Sequence, residues 1–175
     1  VGGRPKASAV VKLFSFLIDK DQIKVEVDFA GQRHAVEIPT GLTPQEINLH
    51  LVGEVAIYQG DEIEVPLIEV AHARSGDKGN HSNIGVIARK AKYLPWIRAA
   101  LTEQAVAEYM QHVLDAEKSK VIRYELPAMN ALNFMLENAL GGGGMASLRI
   151  DPQGKAFAQQ LLDMPVKVPV QLLEK

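Results

Sequence analysis

The stretch AHARSGDKGNHSNIGVIAR, residues 71–89, constrains this chain more than any other. An apolar run (Leu67, Ile68, Val70, Ala71) leads into it, and a second, Ile84 to Ala88, closes it. Between them lie Arg, Ser, Gly, Asp, Lys and Asn. Read by apolar runs, this predicts strands over 66–72 and 84–89 joined by a polar connection over 73–82. A hairpin needs only about two to five loop residues. A longer connection with charge of both signs either binds something or is disordered.

Composition sets the outer bounds. The 175 residues leave room for one domain, or one domain with an appendage. Apolar residues make up 47% and charged residues 23%, enough for an ordinary core. A net charge of −2 argues against a nucleic-acid binder, which usually carries a basic surplus. The chain has no cysteine, which excludes disulfides, thiolate nucleophiles and Cys-ligated metal or iron–sulfur sites. That composition fits a cytoplasmic setting. The apolar run AVVKLFSFLI is broken by Lys12 and Ser15; it is too short to span a bilayer and lacks signal-peptide flanks. The chain begins at Val1 rather than Met, which points to processing, a start further upstream or a fragment of a longer protein.

Along the chain, residues 9–18 read as a buried strand or short apolar segment. Residues 23–29 alternate, Ile23, Val25, Val27 and Phe29 against Lys24, Glu26 and Asp28, which predicts a half-buried strand. A turn at Gly31-Gln32 returns residues 35–38 as its partner. Thr43-Pro44-Gln45-Glu46 has the form of a capping box with Pro at the first helical position, predicting a short helix that ends near Gly53. Residues 55–58 and 63–65 predict another small hairpin. Beyond Pro66 the expected elements are a short helix over 93–100, then a helix N-capped by Thr102 with Ala105, Val106, Tyr109, Met110 and Val113 along one stripe. A strand over 121–126 follows, closed by Pro127. Residues 129–140 read as a helix with Leu132, Met135, Leu136, Ala139 and Leu140 on its apolar face, ended by the glycines 141–144. A strand over 147–150, a helix over 154–163 and a last strand over 166–170 complete the pattern. It predicts an α+β fold with an antiparallel or mixed sheet, divided into a small β-rich segment, 1–65, and a main domain, 66–175.

The segments AHARSGDKGN, NIGVIAR, Leu101 to Val106, RYELP (123–127), ALNF (131–134), LGGGG (140–144), SLRID (147–151) and GKA (154–156) occur in that order over about three-fifths of the chain. By them, residues 66–170 resemble the AtuA-like ferredoxin-fold domain of the acyclic terpene utilisation (AtuA) family. The first 60 residues are more loosely similar to the end of the larger region that precedes this domain in long members. The resemblance implies a ferredoxin-like sheet with helices packed on one face. It also implies a place in the bacterial breakdown of acyclic terpenes such as citronellol through acyl-CoA intermediates. It supplies no chemical step. The element order departs from a plain βαββαβ chain by an extra helix and strand at the end.

The candidate ligand-binding residues begin with Arg74, Ser75, Gly76, Asp77, Lys78, Gly79 and Asn80. Gly76 and Gly79 free backbone N–H groups to turn toward an anion, and Arg74 and Lys78 supply charge. A CoA phosphate or a substrate carboxylate would suit. The plainer alternative is a self-satisfying loop, with Asp77 paired to Arg74 or Lys78 and Asn80 capping a turn. The Walker order is absent. Gly141, Gly142, Gly143 and Gly144 exceed what a helix end needs and imply a close approach by a ligand, another chain or a hinge. Asn130, Asn133 and Glu137 share a face if 129–140 is helical. Asn133 can then orient a carbonyl and Glu137 can serve as acid or base, although an amphipathic helix carries such a polar face anyway.

His72 and His81 flank the polar run, but with Asp77 they match no ligand spacing, and no metal is expected. His81, Asp77 and Glu137 are the candidate proton-transfer groups. Ser75 has no His–Asp arrangement or GxSxG context. No cofactor is expected beyond the CoA part of a substrate. Two functions remain open. One is a binding or assembly module that docks onto an AtuA-type core region or an acyl-CoA-processing partner and associates with itself. The other is an enzyme domain acting on a branched acyl-CoA by acid–base chemistry. Neither involves nucleic acid or a membrane.

Overall fold

The computed structural model describes residues 16–39, 60–126 and 128–173, together with Arg4, Ala7, Ala9, Phe14 and Gly41. The chain divides into two compact units, Leu13–Leu49 and the remainder. In the smaller, β1 (Val25–Phe29) pairs antiparallel with β2 (Gln32–Val36). Ala30 and Gly31 close the hairpin at φ of 53° and 80°, the paired left-handed geometry that matches strand twist in a two-residue turn. The turn thus falls one residue before the expected Gly31-Gln32, and the second strand starts at Gln32 rather than Ala35. Both strands are exposed throughout, so the expected half-burial is not found. Phe16, Leu17 and Ile18 are exposed and outside any strand, against the reading of 9–18 as a buried strand. The rest of that run, the helix expected near 43–53 and the strand expected at 55–58 lie outside the described residues.

The larger unit contains β3 (Glu62–Pro66), β4 (Ala71–Lys78), β5 (His81–Ala88), α1 (Leu94–Ala100), α2 (Glu103–Tyr109), β6 (Val121–Leu126), β7 (Ala131–Leu136), α3 (Phe157–Leu162), β8 (Pro165–Pro169) and α4 (Val170–Leu173). Four strands form an antiparallel sheet in the order β4-β5-β7-β6. β3 pairs antiparallel with β8 in a separate ladder. The fold is the expected α+β, ferredoxin-like one, with helices on one face of the sheet. With β5, β6 and β7 as first, second and third strands of a βαββαβ chain, the edge beside the first is filled by β4, which precedes it. The strand after α3, which would fill that edge in a plain βαββαβ chain, pairs with β3 instead.

Two expectations fail in a way that decides where the site lies. Residues 73–82 are not a loop: β4 and β5 run through them and meet at a two-residue Gly79-Asn80 turn, with Gly79 at φ 66°. Their polarity is a strand's alternation, Ser75 and Ser82 buried toward the helices and Arg74 and Lys78 exposed on the other face. Residues 129–140 are not a helix. Asn130 (φ 50°) and Asn138 (φ 52°) bracket β7 with left-handed turn geometry that a helix through both would forbid. Leu132, Phe134 and Leu136 are buried at period two; Met135, Ala139 and Leu140 happen to complete a helical spacing.

Smaller departures follow local bonds. Residues 147–150 form no strand. α3 starts at Phe157 rather than Gly154, because Asp151 binds the N–H groups of Lys155 and Ala156 in a turn before it. Val113, placed on the α2 stripe by spacing, sits in a short 3-10 turn beyond the helix. Thr102 does cap α2, its Oγ1 accepting from the Ala105 N–H at 3.1 Å.

The core joins Phe134, Leu132 and Ile84 of the sheet to Ile97, Val106 and Leu161 of the helices. Phe134 is fully buried at the sheet's centre, so Phe134→Ala should cost about 3–5 kcal/mol in urea unfolding. A loss under about 1 kcal/mol would place Phe134 outside the core. The Asp115 carboxyl accepts from the Glu117 N–H at 3.1 Å and lies 3.6 Å from Lys118 Nζ, which together hold it below the usual carboxylate range. A carboxylate lowered on folding stabilises above its unfolded pKa and loses that contribution as pH falls through its folded value. An NMR titration should therefore find the Asp115 midpoint below about 3.9. A midpoint at or above that value would mean the Glu117 bond does not persist.

Candidate functional site

Strand register fixes which side chains share the face turned away from the helices, because directly opposed partners lie on one side of a sheet. Three rows cross it: His72–Ile87–Ala131–Leu126, Arg74–Gly85–Asn133–Tyr124, and Gly76–Asn83–Met135–Ile122. At the β4 end this face opens into a groove of about 370 Å³ lined by Arg74, Ser75, Gly76, Lys78, Asn83, Gly85 and Lys155. Lys78 Nζ donates to the Asp77 carbonyl (2.9 Å) and to Asn83 Oδ1 (3.1 Å). Asn83 Nδ2 in turn donates to Asn133 Oδ1 (3.1 Å). This relay orients two amides across three strands.

Lys155 arrives from the turn before α3 and reaches round the edge strand. Its Nζ stands 3.0 Å from where a Cβ on Gly76 would be, and 3.6 Å from Asp77 Oδ1. The Arg74 guanidinium has no hydrogen bond or ion pair among the described residues. The lining therefore holds three cations and no carboxylate.

The remaining motif residues brace this groove from behind. The buried Ser75 Oγ donates to the Lys155 carbonyl (3.1 Å) and accepts from the Ala158 N–H (2.9 Å), pinning the start of α3 to β4. Asp151 accepts from the N–H groups of Lys155 (2.9 Å) and Ala156 (2.8 Å). Gly154 lets this turn pass Ser82: a Cβ there would stand 2.6 Å from Ser82 Oγ, which donates to the Gly76 carbonyl. These bonds set the direction of Lys155.

At the hairpin tip, Asn80 Oδ1 accepts from the Gly142 N–H (2.6 Å), and Asn80 Nδ2 donates to Asn138 Oδ1 (3.0 Å). Gly143, at φ 84°, fits against the tip; a Cβ on it would lie 2.8 Å from the Gly79 carbonyl oxygen. The close approach made by the glycine run is thus to the chain's own Gly79-Asn80 turn. His81 Nδ1 accepts from the Asn138 N–H (2.9 Å), so the neutral ring carries its proton on Nε2. Taking up a proton at Nδ1 would break that bond.

Of the residues read from the sequence, Arg74, Ser75, Gly76 and Lys78 line the groove, and Asn133 joins it through Asn83. Asp77 pairs with Lys155 rather than with Arg74 or Lys78, and Gly79 and Asn80 form the turn. Asp77, His81 and Glu137 are not brought together on the groove. Gly141, Gly142, Gly143 and Gly144 lie against the hairpin tip and the 145–153 segment, outside the lining. Asn83, Gly85 and Lys155 were not anticipated. A period-two reading through Gly79-Asn80 would have set Asn83 and Gly85 beside Arg74; for Lys155 the signal was only the GKA segment. Among the described residues, no three His, Asp or Glu side chains gather as metal ligands, and no helix is long and apolar enough to cross a membrane.

The two kinds of glycine can be told apart. Gly143→Ala should destabilise by more than about 1 kcal/mol, from left-handed φ and the backbone clash together. Gly85→Ala meets nothing closer than 3.8 Å and should not lower stability. Equal losses in thermal unfolding would contradict this assignment.

A family model described as the AtuA ferredoxin-like domain matches residues 65–167. No curated protein and no solved structure matches the chain significantly. The matched residues run from the end of β3 into β8 and take in the whole four-stranded sheet with its groove. That is more than half of the sequence, and the chain belongs to the AtuA ferredoxin-like domain family.

Proposed function

We propose that this domain is a binding and assembly module that holds an anionic group in the groove beside β4. The observation that carries the reading is Arg74: a guanidinium without a partner among the described residues, set beside Lys78 and Lys155 over a lining without carboxylates. A guanidinium there is a ready fork for a carboxylate or phosphate. The proton-transfer candidates support a binding role over an enzymatic one. Asp77 is engaged by Lys155, His81 by the Asn138 backbone, and Glu137 is outside the lining.

The proposal extends to the setting: acyl-CoA-linked breakdown of acyclic terpenes in the cytoplasm, where a cysteine-free chain is at home. The anion is then a CoA phosphate or a substrate carboxylate. The module's partner is an AtuA-type core region or an acyl-CoA-processing protein, alongside a second copy of itself. Support for the assembly half comes from Leu148 and Ile150, whose side chains are fully exposed on either side of Arg149. Arg149 is anchored on the carbonyls of Val113 and Ala139, so these apolar groups are presented on a fixed segment.

A ligand that binds only the native state raises the melting temperature by mass action. Phosphate, carboxylates, CoA and acyl-CoAs should be screened this way against the chain and two variants. Arg74→Ala should leave unliganded stability within about 0.5 kcal/mol and weaken anion binding about tenfold or more, the scale of a lost charge-assisted bond. Lys167→Ala, at an exposed position of β8, should change neither. Anion-induced shifts that persist undiminished in Arg74→Ala would refute the groove as the anion site.

A further inference from the structure

Gly85 stands in the middle of a central strand with φ outside the left-handed region, and a Cβ there would meet nothing closer than 3.8 Å. Neither backbone nor packing demands glycine, yet glycine inside a strand weakens it. Its missing side chain keeps the floor clear between Arg74 and Asn133, its two cross-strand neighbours. Beyond Asn133 the same row ends at Tyr124, which is 47% exposed. The flanking rows there supply Met135 and Ile122 on one side, and Ile87, 41% exposed, on the other. One continuous face is therefore cationic at the β4 edge, amide-lined in the middle and apolar toward β6. With strands about 4.8 Å apart, Arg74 and Tyr124 are separated by three intervals, about 14 Å.

We infer that this face binds a small amphiphilic carboxylate lying across the strands. Its head sits among Arg74, Lys78 and Lys155, its body crosses Gly85, and its apolar end rests on Tyr124. The inference rests on the anion reading of the groove and deepens it. Charge complementarity fixes the orientation, and the row length fixes the size. A nucleotide-sized polar body would find apolar side chains, not cations, in the rows toward β6.

The test is calorimetric titration of the whole chain with acetate, butyrate and octanoate, with octyl phosphate as a second head group, followed by amide NMR. Affinity should rise by up to about fourfold per methylene as the chain lengthens, the value for fully burying one such group. The Tyr124 amide signal should move with octanoate and not with acetate. Tyr124→Ala should cut octanoate binding about tenfold while acetate binding is kept, a loss of about 1.4 kcal/mol. Gly85→Val should also weaken octanoate binding by filling the floor; circular dichroism checks that both variants fold. If acetate and octanoate bind equally and Tyr124 does not respond, the amphiphile inference fails and the anion groove stands. If no anion binds, both fail. Octanoate binding that survives Arg74→Ala combined with Lys78→Ala would overturn the head placement. Octyl phosphate binding more than tenfold tighter than octanoate would overturn the carboxylate.

Discussion

The packing of the β4–β5 hairpin tip against the glycine run holds the rest of the arrangement. Gly79 and Asn80 turn the chain in two residues, and Gly143 brings backbone against backbone where no side chain would fit. Asn80 and His81 then bond the segment that follows β7, so β4, β5 and β7 are fixed relative to one another at one end. A register shift by one residue would turn Arg74 and Lys78 into the core and Ser75 out of it. The tip is the lock that prevents this.

Given that lock, the polar residues divide by face. Those turned toward the helices satisfy each other: Ser75 with the start of α3, Ser82 with the Gly76 carbonyl, Asp151 with the turn that aims Lys155. No buried side-chain polar atom among the described residues lacks a partner. Those turned outward are in excess of what the fold uses. Lys78, Asn83 and Asn133 are tied in a relay, while the Arg74 guanidinium is not. Cations gathered around a small concave surface raise one another's energy unless an anion joins them. That is the physical basis for reading the groove as a binding site.

Much of this was legible in the sequence, and the failures have specific causes. Thr102 as an N-cap and the strand at 121–126 followed from local chemistry. The polar run from Arg74 to Asn80 was recognised as the candidate site, but as a loop, because strand detection by apolar runs cannot see a strand whose outward face is charged. The segment 129–140 reads as a helix because apolar residues beyond the strand fall by chance at helical spacing, and because Asn130, which turns the chain into β7, falls on one helical face with Asn133 and Glu137. Lys155 was invisible for a different reason. Its approach to Gly76 depends on how α3 docks against β4, across 79 residues of sequence, and no periodicity encodes that.

The central claim is that the outward face of β4 and β5, rather than the glycine run, receives the anion. Its most direct test is an amide NMR titration of the chain with sodium phosphate and sodium acetate at constant ionic strength. The account predicts saturable shifts confined to residues 74–78, 83–85 and 155, with the signals of 141–144 unmoved. Saturable shifts centred on 141–144, or none that saturate anywhere, would contradict it.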